Sequence, residues 1–282
     1  MTTAVLPRTE SPRSVPVSRL LGAELRWVLR RPRTLVLLGV FALVPVLISI
    51  GVTVAGDGPG HGLIGAVAGN GLMLPVVAIT VSLALLLPLA VAMVAADAIA
   101  GEAAQGTLRG LLLAPVGRLR LVAMKAFGVL VVATLAVLAL AVVGVVAGMV
   151  VVGRPEGHLV TLSGTTLGVG DALGRVALVV AWTIGQLAAV GAVALAISAF
   201  TEHPSVVVAS VLGGLIVCGV LSAIPALEWL QPYLLITGWS ASADVLRDPM
   251  PLADLVTSTL RALCYLAVGA GLTVFRMLRH DA

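Results

Sequence analysis

A chain of 282 residues that is 60% hydrophobic and 11% charged, with a mean hydropathy of +1.14, is far more apolar than a water-soluble domain, whose apolar share is about 45–50%. Its solvent is lipid. The net charge of +4 sits mostly at the ends of apolar runs, where membrane orientation accounts for it, so no nucleic-acid partner is needed.

Aromatics are only 4% of the chain. The runs are Leu, Val, Ala and Gly, which suits helices packed closely through small residues. The stretches of about 10 alternating residues that build a membrane β-barrel are absent. The fold class expected is all-α: a polytopic bundle of six transmembrane helices with both termini in the cytoplasm.

Residues 1–33 form a cytoplasmic arm. Arg8, Arg13, Arg19, Arg26, Arg30, Arg31 and Arg33 outnumber Glu10 and Glu24, an asymmetry that holds the N-terminus inside. Residues 17–31 are amphipathic and should lie flat on the inner leaflet. Glu24 is the misfit on the apolar side, with Arg31 placed to neutralise it. The Arg30-Arg31 pair is not a twin-arginine export signal, because a full-length apolar run containing Pro45 follows it without a convincing cleavage site.

The transmembrane domain occupies residues 34–282. Its first span is 34–55, about 33 Å of helix and enough to cross the hydrocarbon. Residues 56–71 are a Gly-rich outer loop with Asp57 and no Lys or Arg. The second span, 72–96, contains Pro75 and Pro88, both candidate kinks. The third, 121–152, carries Gly144 and Gly148 in GxxxG spacing, either a helix contact or a chance spacing among 31 glycines.

An outer loop at 153–171 leads to span four, 172–200, with Arg175 near its outer end. The tight turn 201–204 holds Glu202 and His203, and a solvated hairpin is preferred there over a second partner contact. Span five is 205–224. Prolines 225, 232, 249 and 251 then break up residues 225–255, where Trp229, Tyr233 and Trp239 suit a headgroup zone. Span six is 256–275, with Arg276 and Arg279 inside.

The stretch around which the chain is organised is 97–125, DAIAGEAAQGTLRGLLLAPVGRLRLVAMK. A helix near 101–113 places Glu102, Gln105 and Arg109 within about 60° of one another, with Ala104, Leu108 and Leu111 opposite. Pro115 ends it, since proline disfavours α geometry in the residue before it. Arg118, Arg120 and Lys125 then mark the cytoplasmic mouth of the third span.

The order Glu102, Gly106-Thr107-Leu108, a leucine pair, Pro115, Arg118 and Lys125 resembles the cytoplasmic loop of ABC-2 type exporter permeases. The resemblance implies a coupling helix that inserts into a separately encoded ATPase. Glu102, Gly106, Thr107, Leu108, Pro115, Arg118 and Lys125 match the family pattern by position. Arg109 departs from it, because the family often has Glu there, and the charge details of docking change accordingly. The other reading of the loop is an interfacial helix that closes a connection.

The "LRRPR" arm, the C-terminal FRMLRHDA and the broken 225–255 segment also resemble that family. The last would then be re-entrant helices on the outer side. The resemblance further implies a permease subunit that dimerises with itself or with a second permease in membrane lipid. ATP and Mg would be held by the partner ATPase, with no cofactor on this chain.

The residues agree with a transport subunit that does no chemistry of its own. No GxxxxGK[ST] loop is present to cradle ATP. His61, His158, His203 and His280 fall in four separate segments, away from any HExxH or CxxC pattern. Ser82, Ser198 and Ser210 could serve as nucleophiles, but no His lies mid-span to act as their base.

Charges stay near the span ends, and Arg261, the deepest, is close enough to the outer end to snorkel. Thr80, Ser82, Thr183, Gln186 and Ser198 are the polar groups inside, with Gln186 read as a helix bridge in preference to a path lining. Cys218 and Cys264 read as small core residues with no disulfide between them. So little charge along the route favours an amphipathic or lipid-like cargo. The alternative class is an ATP-independent membrane protein, such as an immunity protein, a scaffold or a secondary carrier.

Overall fold

The computed structural model describes residues 22, 26, 30, 32–55, 67–68, 70–104, 118–152 and 159–279. The apolar runs are helical because lipid offers the backbone no hydrogen bonds, so each segment must satisfy its own. The helices are α1 (Pro32–Ala55), α2 (Leu74–Leu83), α3 (Leu86–Ala98), α4 (Ala100–Ala104), α5 (Arg118–Ala147), α6 (Val169–Phe200), α7 (Pro204–Ser222), α8 (Ala241–Asp244) and α9 (Leu252–Arg279). Five of them, α1, α5, α6, α7 and α9, are each long and apolar enough to cross a membrane, and α2 with α3 makes a sixth, broken crossing. The chain is a multi-pass, all-α membrane protein.

The two halves of the second span meet at 55°. Of its two prolines only Pro88 acts as a kink. Pro75 is the second residue of α2, in a first turn whose N–H groups have no intrahelical partner in any case. Pro88 has no N–H to give to the Ala84 carbonyl and its ring crowds that group. The helix is re-established one residue on, with Leu89 N–H donating to Leu85 O at 3.0 Å.

The GxxxG spacing of the third span is a true contact. A Cβ on Gly144 would stand 2.7 Å from the Pro75 Cα, and one on Gly148 would run into the Gly71 carbonyl. The backbones of α5 and the start of the second span therefore touch, as small residues permit. At that level α5 passes into a π turn, Gly148–Val152.

Helix α6 is the hub, with 50% of its crossing window buried, against 11% for α7 and 17% for α1. It runs beside α9 so closely that a Cβ on Gly269 would meet the Ala192 carbonyl carbon at 2.6 Å. Trp182 Nε1 donates to Ser258 Oγ at 3.1 Å and Gln186 Nε2 to Ser258 O at 3.2 Å, both buried. Gln186 is thus a bridge between α6 and α9. At the inner ends of the same helices, Arg276 lies over the Phe200 ring, 5.3 Å from its centroid.

The outer end is capped by a small hairpin and the broken segment after α7. Strands β1 (Leu159–Val160) and β2 (Thr166–Leu167) are antiparallel, and Gly164 takes φ +84° at the turn. Leu162 N–H donates to Leu246 O at 2.9 Å. Arg175 clamps the same place, donating to Val245 O at 2.7 Å and Arg247 O at 2.6 Å, with Asp248 at 3.4 Å.

Residues 225–240 form two 3-10 stretches: Pro225–Tyr233 packs on α7, and Leu235–Ser240 packs mainly on α9 and also on α7 and α2. Arg261 donates to Leu234 O at 2.7 Å and to Thr237 Oγ1 at 2.5 Å, so its charge is held by this segment instead of reaching out to the headgroups. Thr80 Oγ1 lies 3.0 Å from Ser242 Oγ. Trp229 and Tyr233 are 68% and 67% exposed, whereas Trp239 is buried. Trp239 therefore belongs to the core and corrects the expectation of a three-ring headgroup cluster. Both cysteines are free, and Cys264 is exposed instead of filling the core.

Candidate coupling site

The organising stretch enters the structure from both sides. Helix α3 stops at Ala98, and Ile99 (φ −121°, ψ −60°) breaks the ladder. The N–H of Ala100, freed by that break, donates to Ser198 Oγ at 3.0 Å, and the same hydroxyl lies 3.5 Å from Ala96 O. Ser198, a candidate nucleophile on sequence alone, is a clip that fastens the end of the second span to α6.

Two residues into α4, Glu102 meets Lys125 of α5. Their Oε1–Nζ distance is 2.5 Å, and the two side chains are only 13% and 7% exposed. The pair joins residues 23 apart in sequence and closes the connection between the second and third spans at its root. Arg120 and Lys125 lie near the N-terminal end of α5, where the helix dipole disfavours cations. The inside-positive rule accounts for them there, and the Glu102 carboxylate engages Lys125. Further out, Arg33 and Asp97 lie 3.6 Å apart with side chains 84% and 35% exposed, a surface pair of little energetic weight.

Of the residues singled out in the loop, Glu102 and Lys125 are brought together. Arg118 begins α5, and only its backbone is described. Gln105, Gly106, Thr107, Leu108, Arg109 and Pro115 lie outside the described residues, as does most of the 17–31 arm with Glu24. The helix expected near 101–113 is described as far as Ala104. Sequence reasoning missed the Glu102–Lys125 pairing and the Ser198 clip. The available signal for the first was a carboxylate and an ammonium flanking one loop between two spans.

Five crossings and a broken sixth, with the loop between the second and third closed by a buried ion pair, make a polytopic bundle of the kind a membrane permease needs. The model for the ABC-2 family transporter proteins matches residues 20–275. The chain belongs to that family and is a permease of an ABC-type system. No curated protein matches the chain.

Proposed function

We propose that this chain is the membrane half of an ATP-driven exporter. A separate ATPase subunit binds ATP and Mg and docks on the loop at Glu102, Gln105, Gly106, Thr107, Leu108, Arg109, Pro115 and Arg118. The permease works as a dimer, with itself or with a related chain, and moves an amphipathic or lipid-like cargo outward. The observation that carries the reading is the Glu102–Lys125 clasp, 2.5 Å long and largely buried, at the root of a loop whose sequence resembles a coupling helix.

The clasp supports the reading because of what it would transmit. A push on the loop reaches α4 and α5 together, and through the Ser198 clip it reaches α6, the hub of the bundle. The ATPase would thus move rigid helices as one body, the usual form of such transitions. The amphipathic cargo is favoured because the one described charge deep in a span, Arg261, is engaged by Leu234 and Thr237.

The test is pull-down of the tagged chain from its native membrane, with the bound proteins identified. A Thr107→Cys variant is labelled in parallel from each side of the membrane. Recovery of an ABC ATPase and labelling from the cytoplasm are expected. Labelling from outside, or cargo transport by the purified chain alone, overturns the proposal.

A further inference from the structure

Helix α6 packs against both α7 and α9, and over it, between those two, lies a slot of about 170 Å³. Gly214 and Cys218 keep its α7 wall thin, Val193 and Ile197 of α6 form its floor, and Tyr265 stands on the α9 side. Leu235, from the second 3-10 stretch, lines its outer end. The lining carries no charge.

The slot continues toward the cytoplasm. On α6, Val193, Ile197 and Phe200 fall at i, i+4 and i+7, and on α9 Tyr265, Leu272 and Arg276 fall at i, i+7 and i+11, so each set makes one stripe. The stripes meet at their inner ends, where the Arg276 guanidinium carbon lies 5.3 Å from the centroid of the Phe200 ring. Leu272 and Phe200 are 45% and 56% exposed, so the surface leading to Arg276 is apolar and uncovered. Arg276 itself is half-buried. Its Nε is sealed off without an acceptor, and the side chain makes no ion pair among the described residues. From Tyr265 to Arg276 is about 16 Å of helix. One leaflet's share of a hydrocarbon core of about 30 Å is about 15 Å.

A cation without a protein counter-charge at the inner end, joined to an apolar slot one acyl chain deep, complements an anionic amphiphile. We propose that the cleft between α7 and α9 binds an inner-leaflet phospholipid with a net negative headgroup. The phosphate accepts from Arg276, and one acyl chain lies along Leu272, Ile197 and Gly214 with its end toward Leu235. A zwitterionic headgroup brings its own cation beside the guanidinium and gains less there. The inference concerns the chain's own lipid contacts and depends on neither the ATPase nor the cargo.

The experiment uses the purified full-length chain, exposed to an equal mixture of phosphatidylglycerol, phosphatidylethanolamine and phosphatidylcholine and read by native mass spectrometry. Phosphatidylglycerol is expected to be retained about fivefold over either of the others, the worth of one arginine at a membrane surface. Arg276→Gln should bring the three level. Gly214→Leu puts a side chain into the slot from a position where an added Cβ meets nothing within 4 Å, so it should fold and lose the excess with Arg276 still in place. It decides the matter if Arg276→Gln does not fold. Gly213→Leu, equally open but outside the slot lining, should keep the excess. Equal retention of the three lipids by the parent chain, an undiminished excess in Arg276→Gln or Gly214→Leu, the same loss in Gly213→Leu, or a lipid-free dimer as the sole species overturns the proposal.

Discussion

Lys125→Met strips Glu102 of a partner 2.5 Å away at a site where the two side chains are 13% and 7% exposed. Breaking a buried pair from one side costs about 3–5 kcal/mol, because a charge is left behind in a medium that solvates it poorly. The small residual exposure places this site at the lower end, so Lys125→Met should destabilise the permease by about 3 kcal/mol. Glu102→Gln should behave alike from the other side. Removing both charges leaves neither one buried without the other. The double variant should therefore lose no more than either single, a coupling of about 3 kcal/mol in the double-mutant cycle. Unfolding of the purified chain in mixed micelles by SDS titration, followed by tryptophan fluorescence, reads all four species. Additive losses would mean that the two groups do not stabilise one another and that the loop is not closed at its root.

Other positions make separate predictions. Gly148→Ala should cost more than about 2 kcal/mol through overpacking against the Gly71 backbone. Gly213→Ala, with nothing within 4 Å of its added Cβ, should be neutral or stabilise by up to about 1 kcal/mol; the same titration compares them. Gln186→Leu loses one bond to Ser258 but also removes a buried Oε1 that has no partner among the described residues. Its stability should stay within about 1 kcal/mol of the parent, with transport intact. Lost transport in a stable variant would make Gln186 a path residue. Arg175→Gln gives up two charged bonds to the carbonyls of Val245 and Arg247, worth about 1.5–3 kcal/mol each. Amide exchange at 245–248 should accelerate at least about tenfold by mass spectrometry, and unchanged protection would show that the hairpin alone holds this segment.

What could be read from the sequence is what local rules determine. An apolar run long enough to cross, ended by Arg, Gly or Pro, is a helix wherever its neighbours lie, so the expected 34–55 and 172–200 closely match Pro32–Ala55 and Val169–Phe200. A lone amide in lipid must find a partner, which makes Gln186 legible as a bridge, though not that Ser258 is the partner. Contacts between distant segments were not legible. Nothing local links Ser198 to Ala100, 98 positions away. The GxxxG pair is ambiguous in sequence because its meaning depends on Gly71 standing opposite Gly148. Arg261 reads as a snorkelling side chain from sequence alone, because the position of Leu234 and Thr237 depends on how a proline-broken segment folds back. In the 97–125 stretch the charges are recognisable, but their pairing across the loop depends on the relative placement of α4 and α5.

The two thiols of this chain offer a native reporter. Cys264 is exposed on α9 while Cys218 is half-buried on α7, so a membrane-permeant alkylating reagent should modify the first well before the second in an isolated subunit. If a second copy or a related permease covers that side of α9, Cys264 falls silent on assembly. The rate of its alkylation then counts subunits in a native bilayer without any change to the sequence.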